Sequence, residues 1–252
     1  MEERPFERLE LLYGQQALEK LQNSRVAVFG IGGVGSYVTE ALARSGIGAL
    51  DLIDHDRVSV SNLNRQIIAL HSSLGRYKTD VAEERVRDIN PHCAVRKYSV
   101  FFLPDTADQF DFREWDYVVD AVDTVTAKLL LAEKAQAASV PVLSVMGTGN
   151  KIHPELLELA RLSETSVCPL ARIMRKECRK RGIHDMKVVY SREDPLTPHQ
   201  KLTSDTETTA ADGRTEPARV KPIPGSSAFV PAVAGLLAAS AVVNDLTAGL
   251  RE

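Results

Sequence analysis

A short glycine-rich stretch and four charged side chains downstream of it are the residues whose types and spacing could do chemistry. Gly30-Ile31-Gly32-Gly33-Val34-Gly35 has the G-x-G-x-x-G spacing, and Asp54 follows Gly35 by 19 residues. In such a pattern Gly30 permits a tight turn, Gly32 lets backbone approach a phosphate, and Gly35 lets a helix pack closely on its strand. A carboxylate at that distance holds ribose hydroxyls. The glycine pattern alone also describes a structural turn; the flanks decide for a nucleotide site. Arg25 to Phe29 reads as a buried strand, Ser36 to Ser45 as a helix offering its N-terminal amides to an anion, and Ala49 to Ile53 as the strand that delivers Asp54. Gly30, Gly32, Gly33 and Gly35 are the expected cofactor-binding glycines.

The charges at the same rim ask for more than a dinucleotide. Ser61-Asn62-Leu63-Asn64-Arg65-Gln66 and Gly75-Arg76-Tyr77-Lys78 follow the second strand, on the ligand side of such a sheet. Arg65 and Lys78 are placed to neutralise a triphosphate. Asp123 ends the apolar run Tyr117 to Val122, where a carboxylate can hold magnesium. Each charge alone reads as a solvated loop residue; together on one sheet edge they favour ATP with Mg2+.

The elements that must position these groups alternate as βαβ through residue 146, which predicts an α/β, Rossmann-like, doubly wound and mostly parallel sheet with a C-terminal extension. Phe6 to Leu21 has helical spacing. Lys78 to Ile89 reads as helix, Ala94 to Val100 and Trp115 to Val122 as strands, Thr124 to Ser139 as helix and Val140 to Met146 as strand. Pro154 to Leu162 fits strand or helix equally. Pro169 to Arg181 is a helix with proline at its start and Gly182 past its end, and Lys187 to Ser191 a short strand. The chain of 252 residues is expected to be one domain: a nucleotide-binding half over 1–150 and a substrate and dimer half over 151–252, with a mobile loop at 193–224.

Composition narrows the class. A net charge of −3 excludes a protein that coats nucleic acid by bulk electrostatics, though not one with a local basic patch. Cys93, Cys168 and Cys178 form no C-x-x-C pair, so no zinc site or disulfide framework is readable and a reducing cytoplasm is expected. Met1-Glu2-Glu3-Arg4 lacks the apolar core of a signal peptide. The apolar run Ala228 to Val243 falls short of the ~20 residues that span a bilayer and contains Pro231. A buried or subunit-interface helix is expected there, with no membrane. The six histidines show no ligand spacing.

Taken together, G-I-G-G-V-G-S, L-I-D-H-D, S-N-L-N-R-Q, G-R-Y-K and D-A-V-D-T resemble the motifs of the ubiquitin-activating-enzyme superfamily of adenylate-forming proteins, over residues ~5 to 150. That resemblance implies a homodimer in which Asp54, with Asp56 beside it, binds ribose. It also implies that Asn62, Arg65 and Lys78 handle phosphates and that Asp123 serves the metal and the reacting α-phosphate. Arg8, in Phe6-Glu7-Arg8-Leu9, matches the arginine that such enzymes insert into the partner's site. The second half, from Ser163 through Cys168-Pro169-Leu170-Ala171-Arg172 to Ile183, is similar to the tRNA threonylcarbamoyladenosine dehydratases, as is Pro224-Gly225-Ser226 with its apolar helix. The resemblance then implies a tRNA carrying threonylcarbamoyladenosine as substrate, with ring closure by the modification's own ureido nitrogen. A monovalent cation and a cysteine desulfurase or sulfur-acceptor system are further expected associates. No covalent role is assigned to Cys168, because an intramolecular nucleophile needs no protein thiol.

Arg172, Arg175, Lys176, Arg179 and Lys180 recur at three- and four-residue steps and share one helix face, which marks an RNA-backbone contact. Two rival readings remain. An activator of a ubiquitin-like carrier makes the same adenylate, but the missing zinc ligands and the basic helix speak against it. An NAD-dependent sensor or oxidoreductase would leave Arg65, Lys78 and Asp123 without work.

Overall fold

The computed structural model describes residues 4–199 and 223–250. Its seven strands form one sheet in the order β3-β2-β1-β4-β5-β7-β6. The first three are β1 (Arg25–Phe29), β2 (Ala49–Ile53) and β3 (Ala94–Tyr98); β4 (Tyr117–Asp120), β5 (Val142–Val145), β6 (Leu157–Arg161) and β7 (Lys187–Ser191) follow. All neighbours are parallel except β6, which runs antiparallel to β7. The strands wind outward from β1 in one direction and from β4 in the other. The crevice between those two strands is where ligands bind in sheets of this kind.

Strand alternation sends side chains into two cores. Val26, Val28 and Val119 face one side with α2 (Gln15–Gln22), α3 (Gly35–Arg44), α4 (Lys78–Ile89) and α8 (Phe229–Leu246). Ala27, Phe29 and Val118 face the other. There α6 (Val125–Ala137) covers the centre, and α7 (Pro169–Arg181) packs Ala171, Met174 and Cys178 beside it. Parallel strands covered on both faces carry near-continuous apolar runs, which is why these segments were legible.

Several elements differ from the sequence expectation. The N-terminal helix is two, α1 (Glu7–Tyr13) and α2, broken at Gly14 by a φ of +83°. Residues 154–162 resolve into a short 3-10 turn and the edge strand β6. Between β3 and β4 stands an aromatic cluster: Phe29 meets Phe102, Phe110, Phe112 and Trp115 at centroid distances of 4.9 to 6.2 Å, with α5 (Pro104–Ala107) on its edge. The expected loop 193–224 falls largely outside the described residues.

Helix α8 is two residues longer than its apolar run, and at 18 residues it is long and apolar enough to cross a membrane. Nine of those residues are nonetheless buried, from Val230 to Val243, and it lies on α3 and the sheet. Pro231 sits in its first turn, where the missing N–H costs little. At its far end Asp245 accepts from Lys187 Nζ at 2.5 Å and from the Tyr117 hydroxyl at 2.8 Å.

The approach of α8 to α3 is closest at Gly235, where a Cβ would lie 2.5 Å from the Val34 carbonyl oxygen and 2.8 Å from Tyr37 Cβ. Glycine-to-alanine changes in helix interiors normally stabilise by up to about 1 kcal/mol. At Gly235 the overlap, at about 1–3 kcal/mol for an overpacked core, reverses that sign. Gly235→Ala is therefore expected to lower the thermal unfolding midpoint; a raised midpoint would show that the helices separate freely.

Candidate active site

The glycine turn is shaped by the loop after β4. Gly30 has a φ of +86°, and a Cβ there would stand 2.7 Å from the Ala121 carbonyl oxygen. A Cβ on Gly35 would stand 1.7 Å from the Gly30 carbonyl oxygen, so α3 starts directly against the strand end. Gly32 and Gly33 border the open side of the turn, facing the side chains of Gln66 and Arg65.

Around this turn lies a cavity of about 630 Å³. It brings together Gly30, Gly32, Gly33, Asp54, Asp56, Asn62, Arg65, Lys78 and Asp123. Gly35 sits behind them at the head of α3. The cavity continues past Asp123 into a second half lined by Met146 to Gly149, Leu170, Ile223, Pro224 and Pro231. Arg8 and the cations of α7 do not line it: Arg8 is exposed on α1, and α7 contributes only Leu170.

The acidic corner is already partly neutralised. Asp54 is buried, its Oδ2 accepting from the Ile31 N–H at 2.6 Å and its Oδ1 from the Asp56 N–H at 2.8 Å. It thus ties the glycine turn to the end of β2. Lys78, 4% exposed, donates to Asp56 Oδ2 at 2.6 Å and lies 3.9 Å from Asp54 Oδ2. An isolated bridge between Arg57 and Tyr77, with the Arg57 guanidinium 3.8 Å over the Tyr77 ring, draws these two segments together. Asp54, His55 and Asp56 are spaced to hold a cation, but Lys78 already occupies that role. Asp123 differs: it is exposed to the cavity and makes no hydrogen bond among the described residues, so its oxygens fit a hard cation.

Asn62 is buried and holds the start of its own turn, accepting from the Ser59 N–H at 3.1 Å. Arg65 donates to the Ser61 carbonyl at 2.7 Å and to Asn64 Oδ1 at 3.0 Å. Gln66, passed over by the sequence reading except as part of a motif, is buried in the wall with its Oε1 unpartnered among the described residues.

The loop after β5 is fixed by Asn150, whose N–H donates to the Gly225 carbonyl at 2.7 Å and whose Oδ1 accepts from the Gly225 N–H at 2.6 Å. Asn64 Nδ2 donates to the Ser226 carbonyl at 3.0 Å. These bonds bring the 223–226 segment against both the phosphate-side loop and the second half of the cavity. On α7, Arg172, Lys176, Arg179 and Lys180 are exposed, whereas Arg175 is half-buried and donates to the Thr165 carbonyl and hydroxyl. Among the described residues the basic face therefore has four free members, and Arg175 is a brace. Ile173 is half exposed beside them.

All three cysteines are buried. Burial pushes the Cys93 and Cys178 thiols up to about 11, far from a reactive thiolate.

The site and the sheet define an ATP-type adenylate-forming enzyme, and the chain belongs to the ThiF family, whose profile matches residues 6–248. It is 41% identical over 242 residues to the tRNA threonylcarbamoyladenosine dehydratase of Bacillus subtilis, covering 96% of this chain and 94% of that protein. The crystal structure of the E. coli tRNA N6-threonylcarbamoyladenosine dehydratase in complex with ATP superposes with a TM-score of 0.83 at 32% identity, covering 97% of this chain and 94% of that one. A Vanderwaltozyma polyspora adenylyltransferase and sulfurtransferase, UBA4, is 37% identical over 133 residues, covering 52% of this chain and 30% of that protein.

Lys151, just past the cavity loop, escaped the sequence reading. It is 3% exposed and its ammonium has no hydrogen-bond partner among the described residues. Burial lowers its pKa, opposed by the neighbouring Cys168, Glu193 and Asp194. A lysine whose folded pKa lies below its unfolded value destabilises the fold wherever it is charged, and the penalty fades as pH climbs from the folded pKa toward the unfolded one. Stability measured by denaturant titration should therefore rise with pH on the alkaline side, and Lys151→Met should remove that rise while stabilising the protein at neutral pH. An unchanged slope in the variant would place the ammonium in contact with water or an anion.

Proposed function

We propose that the protein uses ATP to activate the threonyl carboxylate of N6-threonylcarbamoyladenosine in tRNA and then closes it into a ring. The carboxylate oxygen attacks the α-phosphorus and pyrophosphate leaves. The ureido nitrogen of the same group then attacks the acyl carbon and AMP leaves. Adenylation is needed because a carboxylate has no adequate leaving group of its own. Ring closure is intramolecular, so orientation rather than a protein nucleophile supplies the rate.

One observation carries this reading: a single cavity runs from the glycine turn past Asp123 to the first turn of α7, whose outer face is cationic. Asp54 is the ribose ligand, Asn62, Arg65 and Lys78 attend the phosphates, and Asp123 holds Mg2+, which neutralises phosphate charge when bound. The names of the Bacillus subtilis and E. coli relatives support the substrate. Activation of a ubiquitin-like carrier is the second reading; it rests on relatives such as the UBA4 protein, which this chain matches over about half its length. The ring-closing nucleophile belongs to the substrate, so this chemistry needs no protein thiol, and all three cysteines are buried. The direct test is pyrophosphate release from ATP with modified tRNA and with a carrier protein in turn; release with the carrier alone would reverse the order of the two readings.

The exposed Arg8 belongs to a partner's site in a homodimer. Asp123→Asn should lower turnover ~10²–10³-fold, and Arg8→Ala should be similarly impaired. Mixed under subunit exchange, the two should form about half heterodimers, each with one intact site, and recover roughly a quarter of wild-type activity. Exchange without recovery would confine Arg8 to its own chain.

The four free cations of α7 contact the RNA backbone. Replacing Arg172, Lys176 and Arg179 by Ala together should weaken tRNA binding and flatten its salt dependence, each lost phosphate contact reducing the slope by roughly one. ATP affinity should be unmoved. A slope equal to that of the wild type would make the helix an ordinary solvated face.

A further inference from the structure

We infer that Lys128 is a positioning residue for the adenylation site, acting through Asp120 on the loop that carries Asp123; this rests on the ATP-dependent reading above. Lys128 lies in the first turn of α6 and is 1% exposed, as is Asp120 at the end of β4. Its ammonium donates to both oxygens of Asp120 at 3.1 Å, to Ser144 Oγ at 3.3 Å and to the Val145 carbonyl at 2.7 Å. The Ser144 hydroxyl in turn donates to Asp120 Oδ2 at 2.5 Å, and Asp120 Oδ1 accepts from the Val122 N–H at 3.2 Å.

Asp120 and Ser144 are register partners on adjacent parallel strands. A single buried charge thus fastens the ends of β4 and β5 to each other and to α6. The loops that leave those strands, 121–124 and 146–149, are walls of the cavity. The Val122 N–H belongs to the residue immediately before Asp123.

Stability does not explain the pair. Two charges buried together are often replaced without loss by apolar groups of the same volume. An apolar pair, however, holds neither the Val122 amide nor the Val145 carbonyl. Asp123 has no side-chain hydrogen bond of its own among the described residues, so its carboxylate stands where the backbone puts it. A shift of about 1 Å at a reacting group costs on the order of 10²-fold in rate.

The test compares Lys128→Met with the apolar double variant Asp120→Leu/Lys128→Met, measuring kcat, KM for ATP and the unfolding midpoint with modified tRNA as substrate. The single variant leaves a buried carboxylate unpaired, so its midpoint should fall together with kcat. In the double variant the midpoint should recover while kcat stays roughly 10²-fold low and KM for ATP moves less than about threefold. A double variant with wild-type kcat would make the network purely structural, and a loss carried by KM alone would also overturn the role. Should both variants fail to fold, Ser144→Ala removes one hydroxyl from the same network; its kcat is expected to fall about tenfold at unchanged KM for ATP, and a wild-type kcat overturns the proposal. A wild-type enzyme inactive on modified tRNA overturns the substrate reading itself, an outcome separable from any behaviour of the variants.

Discussion

The contact between the glycine turn and the end of β4 is the constraint on which the rest of the site depends. At Gly30 and Gly35 no side chain fits, because the Ala121 and Gly30 carbonyl oxygens fill that space. The turn can therefore lie flat against the neighbouring strand end, and α3 can begin without a gap. The same closeness puts the glycine-turn backbone and the Asp123 loop on facing walls of one crevice. It arises because the sheet winds in opposite directions from β1 and β4, leaving the carboxyl ends of both strands uncovered.

Charge is distributed around that crevice with a clear division. Asp54 spends its oxygens on backbone amides and fixes the turn, while Lys78 balances Asp56 from the first residue of α4. Beneath the loops, Lys128 and Asp120 neutralise each other inside the sheet. Asp123 is left as the carboxylate open to the cavity and without a hydrogen bond among the described residues. In the proposed reading an anionic triphosphate would meet Arg65, Lys78 and backbone amides, and a cation would meet Asp123. The overall charge of −3 conceals this arrangement, as it conceals the cationic outer face of α7.

What the chain declares in one dimension is local. The span from β1 through α3 to β2 was legible to within a residue, because a buried parallel strand, a glycine turn and an amphipathic helix each depend on neighbours in sequence. That the motif residues line one cavity was legible for the same reason: they sit in short motifs at the ends of neighbouring strands. Where local signals compete, reading stopped. Residues 154–162 alternate like a strand and begin with proline like a helix; pairing with β7 decided for the edge strand. Phe6 to Leu21 keeps helical spacing throughout, yet the positive φ at Gly14 splits that helix in two.

Other features exist only through tertiary contacts. The Lys128 cluster needs Asp120 in register with Ser144 and α6 laid across both, three segments whose meeting no single stretch announces. Arg175 looked like its cationic neighbours until Thr165 supplied an acceptor beside it, and Lys151, which no local signal marks, is buried by packing. The sequence by itself determined the nucleotide turn, the sheet class and the identity of the charged groups, because those follow from short-range spacing. Only the tertiary structure decided which of those charges are spent on holding the fold and which stay free for a ligand, because a charge is neutralised by whatever lies within a few ångströms of it, whatever its distance along the chain.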